Sequence, residues 1–323
     1  MYRKPHPLRG YLYIAAATFL WGIAATLGRA AFTGRLLPSG EAISEVGPLI
    51  LSQTRNSFTF LALLVMLGMK RGWPALAVSR GDFARLCLLG VLGISAANFF
   101  YYLAIQRTNV ATAIMLQYTA PVWVLLYLSG RWRRKPSWQQ TVGVILAMTG
   151  IAVLIDVFGA GQIRLDQLGV AAGMLSAFAF AFYNVGAHGV LKRQDRWKVL
   201  LYVTGSASVF WLLVNPPWKI VAASYSGLQW SFMAVFAVVS ALAPFAFYAA
   251  GLEHLEPSRA MIAACMEPVF SIGLAAVLLS EFVRPVQLVG VLLVLAAIIA
   301  VEWPNRKRIA VGTTGSAMVE PIE

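Results

Sequence analysis

Charge is scarce in this sequence. Asp, Glu, Lys and Arg make up 12% of 323 residues, about half the share of an ordinary soluble domain. A chain that is also 59% hydrophobic has too little polar side chain to cover a water-facing surface, which excludes a soluble globule. Cysteine occurs twice, at Cys87 and Cys265, both inside apolar runs. That excludes a disulfide framework and makes both small packing residues. The three histidines form no ligand pair at helical spacing, so neither a metal nor another cofactor is expected. There is no P-loop of the form GxxxxGKS/T, which excludes direct use of ATP. There is also no HExxH helix and no Ser/Lys dyad, so the chain does not read as an enzyme. Its loops are too short to hold the soluble output domain of a receptor.

Long apolar runs are what the chain has in quantity. Ten of them, bounded by charge, Pro or Gly, fall at about 10–32, 48–69, 84–105, 110–130, 138–157, 168–190, 198–215, 229–250, 258–279 and 285–303. A bilayer-spanning helix needs about 20 mostly apolar residues, so ten use roughly 200 and leave the rest for loops and tails. The first run is too long for the roughly 7–15-residue core of a signal peptide, and reads as a retained membrane helix. The residues after Trp303 open with Arg306, Lys307 and Arg308 and read as a disordered cytoplasmic tail, 304–323.

The net charge of +13 belongs with the lipid bilayer rather than with nucleic acid, because Lys and Arg accumulate on cytoplasmic loops. With the N-terminus inside, ten spans place 19 cations on the inner side and seven on the outer side. Arg3, Lys4, Arg9, Lys70, Arg71, Arg80 and Arg85 are on the inner side. So are Arg131, Arg133, Arg134, Lys135, Lys192, Arg193, Arg196, Lys198, Arg259 and Arg306 to Arg308. The outer side holds Arg29, Arg35, Arg55, Arg107, Arg164, Lys219 and Arg284. The expected topology is multi-pass in the cell (inner) membrane with both termini cytoplasmic.

The chain repeats itself. A gapless shift of 147 residues places Phe100-Tyr101 on Phe247-Tyr248, Pro121-Val122 on Pro268-Val269, and Gln140 with Val142 to Val144 on Gln287 with Val289 to Val291. Eleven of the 54 pairs from Asn98 to Ile151 are identical. Chance matching of apolar sequence gives about one in ten, so the unbroken register and the matched polar and turn-forming residues weigh more. Two five-span units of odd count must lie in opposite orientations. The charges agree: Arg131 to Lys135 is strongly basic, whereas its counterpart Leu278 to Phe282 carries a Glu. Inverted repeats are the architecture of many secondary transporters. The expected fold is an all-α integral membrane protein, ten transmembrane helices as two inverted five-helix repeats at 10–157 and 168–303.

Trp21-Gly22, Arg55, Leu116 to Val122, Met266 to Val269, and Glu281 nine residues before Gly290 occur in an order and spacing that resembles the drug/metabolite transporter superfamily, in its EamA-like branch. The resemblance runs from about Gly10 to Trp303. Two features depart from it: Arg134 stands where the second half has Glu281, and the Thr33 to Gly47 loop is long. The resemblance implies a ten-helix transporter of the kind that exports amino acids or other small metabolites.

A charge near the bilayer centre is costly and usually faces a cavity or a partner. Glu267, mid-span beside Pro268, reads either as a protonatable or substrate-binding carboxylate or as a structural acid. Together with Trp21, Asn98, Tyr101, Gln117, Tyr118, Tyr183, Asn184 and Tyr248 it reads as lining one central site for a small-molecule solute. Packing or interfacial placement is the alternative for each aromatic. Arg55, in the polar run Gln53 to Ser57, reads as interfacial or as a structural pair, with an anionic substrate group as the alternative. Arg29 reads as interfacial, His188 as structural and Glu281 as a loop anchor. Gly169 and Gly173 have GxxxG spacing, which favours close helix packing and leaves the oligomeric state open.

A secondary exporter of amino acids or related metabolites, working by alternating access, is the leading function. A nucleotide-sugar or phosphorylated-sugar carrier would need several inward cations, and few lie away from the surfaces. A receptor or membrane enzyme is the alternative outside transport.

Overall fold

The computed structural model describes residues 6–32, 46, 48–108, 110–132, 135–154, 166–279 and 285–302. The 33–47 loop apart from Val46, Arg134, Glu281 and the 304–323 tail lie outside the described residues, as does the side chain of Arg29. The same holds for Arg3, Lys4, Arg35, Arg133, Arg164, Arg284 and Arg306 to Arg308.

Among the described residues every regular element is helical. The first half contains α1 (Pro7–Phe32), α2 (Pro48–Arg71), α3 (Arg80–Leu88), α4 (Ala96–Arg107), α5 (Val110–Gln117), α6 (Ala120–Trp132) and α7 (Trp138–Leu154). The second contains α8 (Gln167–Leu191), α9 (Arg196–Val214), the short α10 (Pro217–Ala222), α11 (Gly227–Ala237), α12 (Ala243–Leu252), α13 (Pro257–Ala264), α14 (Met266–Leu279) and α15 (Pro285–Glu302). Among the described residues six runs are long and apolar enough to cross a membrane: Leu49–Arg71, Arg80–Ala104, Ala113–Arg131, Gln167–Leu191, Arg196–Val214 and Gly227–Leu252. The other four expected spans coincide with α1, α7, α13 with α14, and α15, each of which abuts residues outside the described set. Large apolar side chains such as Leu61, Val65, Leu92, Leu126, Ile145, Phe178, Val209, Val235 and Leu292 point outward. This is the surface that lipid, not water, stabilises.

The 147-residue register reappears in the element boundaries. α12, α13 and α15 each begin 147 residues after α4, α5 and α7 respectively. π-helical segments, Leu89–Ser95 and Val238–Leu242, join α3 to α4 and α11 to α12. The contacts repeat as well. A Cβ on Gly10 of α1 would press on His254 and Leu255, and one on Gly169 of α8 would press on Arg107 and Thr108, 147 residues earlier. Accordingly α1 packs on α12 and α14, α8 on α4, α5 and α6, α2 on α9, and α7 on α15.

Prolines explain the two broken spans. A proline ring displaces the carbonyl four residues before it and supplies no N–H. Four residues before Pro121 is Gln117, where α5 ends, and four before Pro268 is Ala264, where α13 ends. The freed backbone groups are met locally. Thr119 N–H and its hydroxyl both donate to the Leu116 carbonyl, at 3.1 and 2.7 Å. Cys265 N–H donates to the Ile262 carbonyl at 3.1 Å. Such local repair is what lets a broken helix persist at membrane depth.

Glycine sets the closest helix approaches. A Cβ at Gly150 of α7 would lie 2.9 Å from the Val294 amide nitrogen and 3.0 Å from the Gly290 carbonyl oxygen. At Gly90 it would collide with the Val203 carbonyl and the Ser206 hydroxyl of α9.

The basic side chains of one end gather into a network. Arg71 pairs with Asp195. Asp82 accepts from Arg85 at 3.2 Å and from Gln194 at 2.8 Å, and lies 3.6 Å from Arg193. Arg196 lies 3.8 Å from Glu253. Lys198 and Tyr202 donate to the carbonyls of Ala77 and Leu76.

Gly90→Ala should lower the thermal unfolding midpoint of the detergent-solubilised protein by the equivalent of about 1–3 kcal/mol, the usual cost of overpacking. Gly81→Ala, where a Cβ meets nothing within 4 Å, should leave it unchanged. Equal midpoints for the two variants would contradict this packing.

Candidate functional site

The helix breaks and π segments leave a cavity of about 140 Å³ among α1, α2, α4, α5, α8, α12, α13 and α14. Six of the nine residues selected from sequence reach it: Trp21, Asn98, Tyr101, Gln117, Tyr118 and Glu267. Apolar walls come from Ile94, Ala97, Phe180, Phe245, Met261 and Ala264. Repeat mates share the lining: Asn98 with Phe245, and Gln117 with Ala264.

Local structure positions each polar group. Glu267 occupies the first turn of α14, where unpaired N–H groups favour negative charge. It is there because Pro268 forces a new helix to begin. Tyr118 and Arg55 share the cavity with it. Tyr118 sits in the matching break of the first half, between α5 and α6. Gln117, the last residue of α5, donates through Nε2 to the Ser176 hydroxyl at 3.1 Å. Ser176 in turn donates to the Ala97 carbonyl at 2.8 Å, which ties α5 through α8 to α4.

Three of the nine lie outside the lining of this cavity. Tyr183, Asn184 and Tyr248 do not line the cavity: they are 1%, 0% and 0% exposed and form the layer behind its wall. The Tyr248 hydroxyl donates to Asn184 Oδ1 at 2.5 Å, and lies 3.4 Å from the Met261 sulfur. Asn184 Nδ2 donates to the Phe180 carbonyl at 2.8 Å. The Trp21 ring lies 5.4 Å from both Phe245 and Tyr248, and Tyr183 stands edge-on to Phe245. Spacing along a helix cannot separate a lining residue from one a turn away that is buried between helices. The repeat mates Tyr101 and Tyr248 thus occupy different settings, the first half-buried on the cavity and the second fully buried and hydrogen-bonded.

Arg55, for which the sequence leaves an interfacial place, a structural pair and an anionic substrate group open, lies on the cavity. Its Nη2 donates to Asn98 Oδ1 at 3.4 Å. The polar run around it was the available signal. Asn215 Nδ2 donates to Gln53 Oε1, Gln53 Nε2 donates to the Asn215 carbonyl, and Thr59 donates to the Ala237 carbonyl. These bonds fix one face of α2 against α9 and α11 and leave Arg55 to turn inward. His188 Nδ1 lies 2.9 Å from the Leu252 carbonyl oxygen. Gly169 and Gly173 receive Arg107, Thr108 and Leu116 at close range, as the GxxxG spacing implies. Among the described residues no group of His, Cys, Asp or Glu is arranged to hold a metal ion.

The profile of the EamA-like transporter family matches residues 8–156 and 167–303. The uncharacterized inner membrane transporter YicL of Salmonella typhimurium is 24% identical over 274 residues, covering 80% of this chain and 90% of that protein. The threonine/homoserine exporter RhtA of Escherichia coli is 23% identical over 240 residues, covering 73% and 77%. A solved crystal structure superposes with a TM-score of 0.75 over 94% of this chain and 99% of the other, at 17% identity, which is likeness of fold.

Tyr248→Phe removes the donor to Asn184 and leaves a buried acceptor, a loss of about 1–3 kcal/mol. A lower thermal unfolding midpoint is expected for it and none for Tyr101→Phe, whose hydroxyl makes no hydrogen bond among the described residues. A midpoint that does not move with Tyr248→Phe would show that the bond carries no weight.

Proposed function

We propose that this chain, which belongs to the EamA-like transporter family, exports amino acids or related small metabolites across the cell membrane by alternating access. One observation carries the reading. The cavity sits where two spans break in mid-course, and it combines aromatic walls, a carboxylate and amide tips in about 140 Å³. Drug-sized pockets run to roughly 300–1,000 Å³, so this volume suits a small metabolite and disfavours a nucleotide sugar. That two of the relatives are named a transporter and a threonine/homoserine exporter agrees with it.

In this reading ten helices cross the bilayer as two inverted repeats, 10–157 and 168–303, followed by a cytoplasmic tail at 304–323. The shared element boundaries, the swapped packing of α1 and α8, and the odd span count of each half support it. The end that carries Arg71, Arg85, Arg193, Arg196 and Lys198 faces the cytoplasm, as cation-rich loops do, and both termini lie there.

Tyr248 and Asn184 close the wall of the cavity on one side, while Tyr101, the mate of Tyr248, is held by no such bond. Exchange of these two settings between the halves would open the cavity to the opposite side. Glu267 is the candidate for proton coupling, since a carboxylate in a membrane cavity can release its proton when solute binds on one side and take one up after solute has left on the other. Export by exchange or by facilitated diffusion uses the same cavity without that step.

Purified protein in liposomes loaded with labelled small neutral L-amino acids, threonine and homoserine included, should show protein-dependent efflux that responds to an imposed pH gradient. In Glu267→Gln that response should vanish. A variant that transports at the wild-type rate at every pH would sink the coupling idea. No flux across a broad metabolite panel would favour a receptor or a membrane enzyme. A cytoplasm-active reporter fused to the C-terminus should be active, and its silence would reverse the proposed orientation.

A further inference from the structure

Arg55 and Glu267 place opposite charges on one cavity, and they do not pair. Among the described residues the ion pairs include Arg71 with Asp195, Asp82 with Arg85 and Arg193, and Arg196 with Glu253, and none of these involves Arg55 or Glu267. The guanidinium of Arg55 has five N–H donors in a fixed plane. Among the described residues only Nη2 has a protein acceptor, the distant Asn98 Oδ1 at 3.4 Å. Its Nε is buried with no partner among the described residues. Arg55 as a whole is half-buried, but a buried N–H left unmet on a cation is costly. The two charges enter from different walls. Arg55 is on α2, which packs on α9 and α11, whereas Glu267 is on α14, which packs on α1.

We propose that these two residues bind the two ends of a zwitterion, with Arg55 taking its carboxylate and Glu267 its ammonium group. The ligand is then a free α-amino acid, and because Ile94, Ala97, Phe180, Phe245 and Met261 supply the other walls, its side chain is small and uncharged. The inference deepens the export reading above and rests on it. Charge balance supports it independently of shape. A cavity holding one cation and one anion is neutral, and it stays neutral only if its ligand carries no net charge. A simple anion or a simple cation would leave one protein charge unmatched and add net charge at membrane depth, where charge is expensive. A zwitterion matches both and adds none. The geometry suits Arg, whose planar fork accepts a carboxylate through two parallel N–H bonds.

The test is competition in the proteoliposome assay. Labelled flux of each small neutral L-amino acid is challenged with the unlabelled parent, with its methyl ester, which lacks the carboxylate charge, and with its 2-hydroxy acid, which lacks the ammonium group. In the wild type both analogues should compete about ten- to a hundred-fold more weakly than the parent, the factor that one charge-assisted hydrogen bond contributes. Arg55→Gln should lose the discrimination against the ester and keep that against the hydroxy acid, and Glu267→Gln should do the reverse. Each result is a ratio within one preparation, so a poorly folded variant does not distort it, and the wild-type ratios decide even if neither variant folds. Analogues that compete as well as the parent in the wild type would overturn the zwitterion site and leave amino-acid export standing. Flux of some other solute class, with none for any amino acid, would overturn both.

Discussion

A polypeptide in a bilayer must satisfy its own backbone hydrogen bonds, and Pro121 and Pro268 each break that rule at the middle of a span. Much of the site depends on how the break is repaired. A proline cannot donate, and its ring displaces the carbonyl four residues earlier. α5 and α13 therefore stop, Tyr118-Thr119 and Cys265 form short turns, and α6 and α14 begin again. A new helix N-terminus in mid-membrane is a favourable place for a negative charge, and Glu267 occupies the one in the second half. The first half has Ala120 at the corresponding position. The same backbone device therefore yields a charged wall on one side and a neutral one on the other.

The halves share boundaries and packing but not chemistry. Tyr101 and Tyr248 are mates in the 147-residue register, yet one faces the cavity and the other is sealed behind it, bonded to Asn184. Asn98 has Phe245 as its mate, and Gln117 has Ala264. A symmetric cavity would present the same groups to both sides of a membrane. Divergence between the halves concentrates the polar groups on α2, α4, α5 and α14, while α8, α12 and α13 supply apolar wall. The separation suits a ligand with one polar end and one apolar end.

Much of the fold was legible before any coordinate. Apolar runs, cation placement and the repeat are one-dimensional signals, and the helices lie where those runs fall. The two prolines marked the breaks because their effect is local and does not depend on what surrounds them. The site was legible in part. Trp21, Asn98, Tyr101, Gln117, Tyr118 and Glu267 could be selected because polar or aromatic groups in mid-span must face something other than lipid. The same criterion also selected Tyr183, Asn184 and Tyr248, whose polar atoms are met inside the packed helices instead. It left Arg55 open, because position along α2 does not locate a residue around the helix axis. The rotation of α2 is set by Gln53 against Asn215 and by Thr59 against Ala237, contacts made across 162 and 178 residues of chain.

By itself, then, the sequence determined that this is a membrane protein of two related halves and where its helices run and break. Hydrophobicity, charge placement and proline act within a few residues of where they stand. Only the tertiary structure decided which polar groups share one cavity, that Arg55 and Glu267 reach it from different walls without pairing, and that Tyr248 is sealed away while Tyr101 is not. Those outcomes depend on how each helix is rotated about its axis. That rotation is set by glycine contacts and hydrogen bonds between residues far apart in the chain.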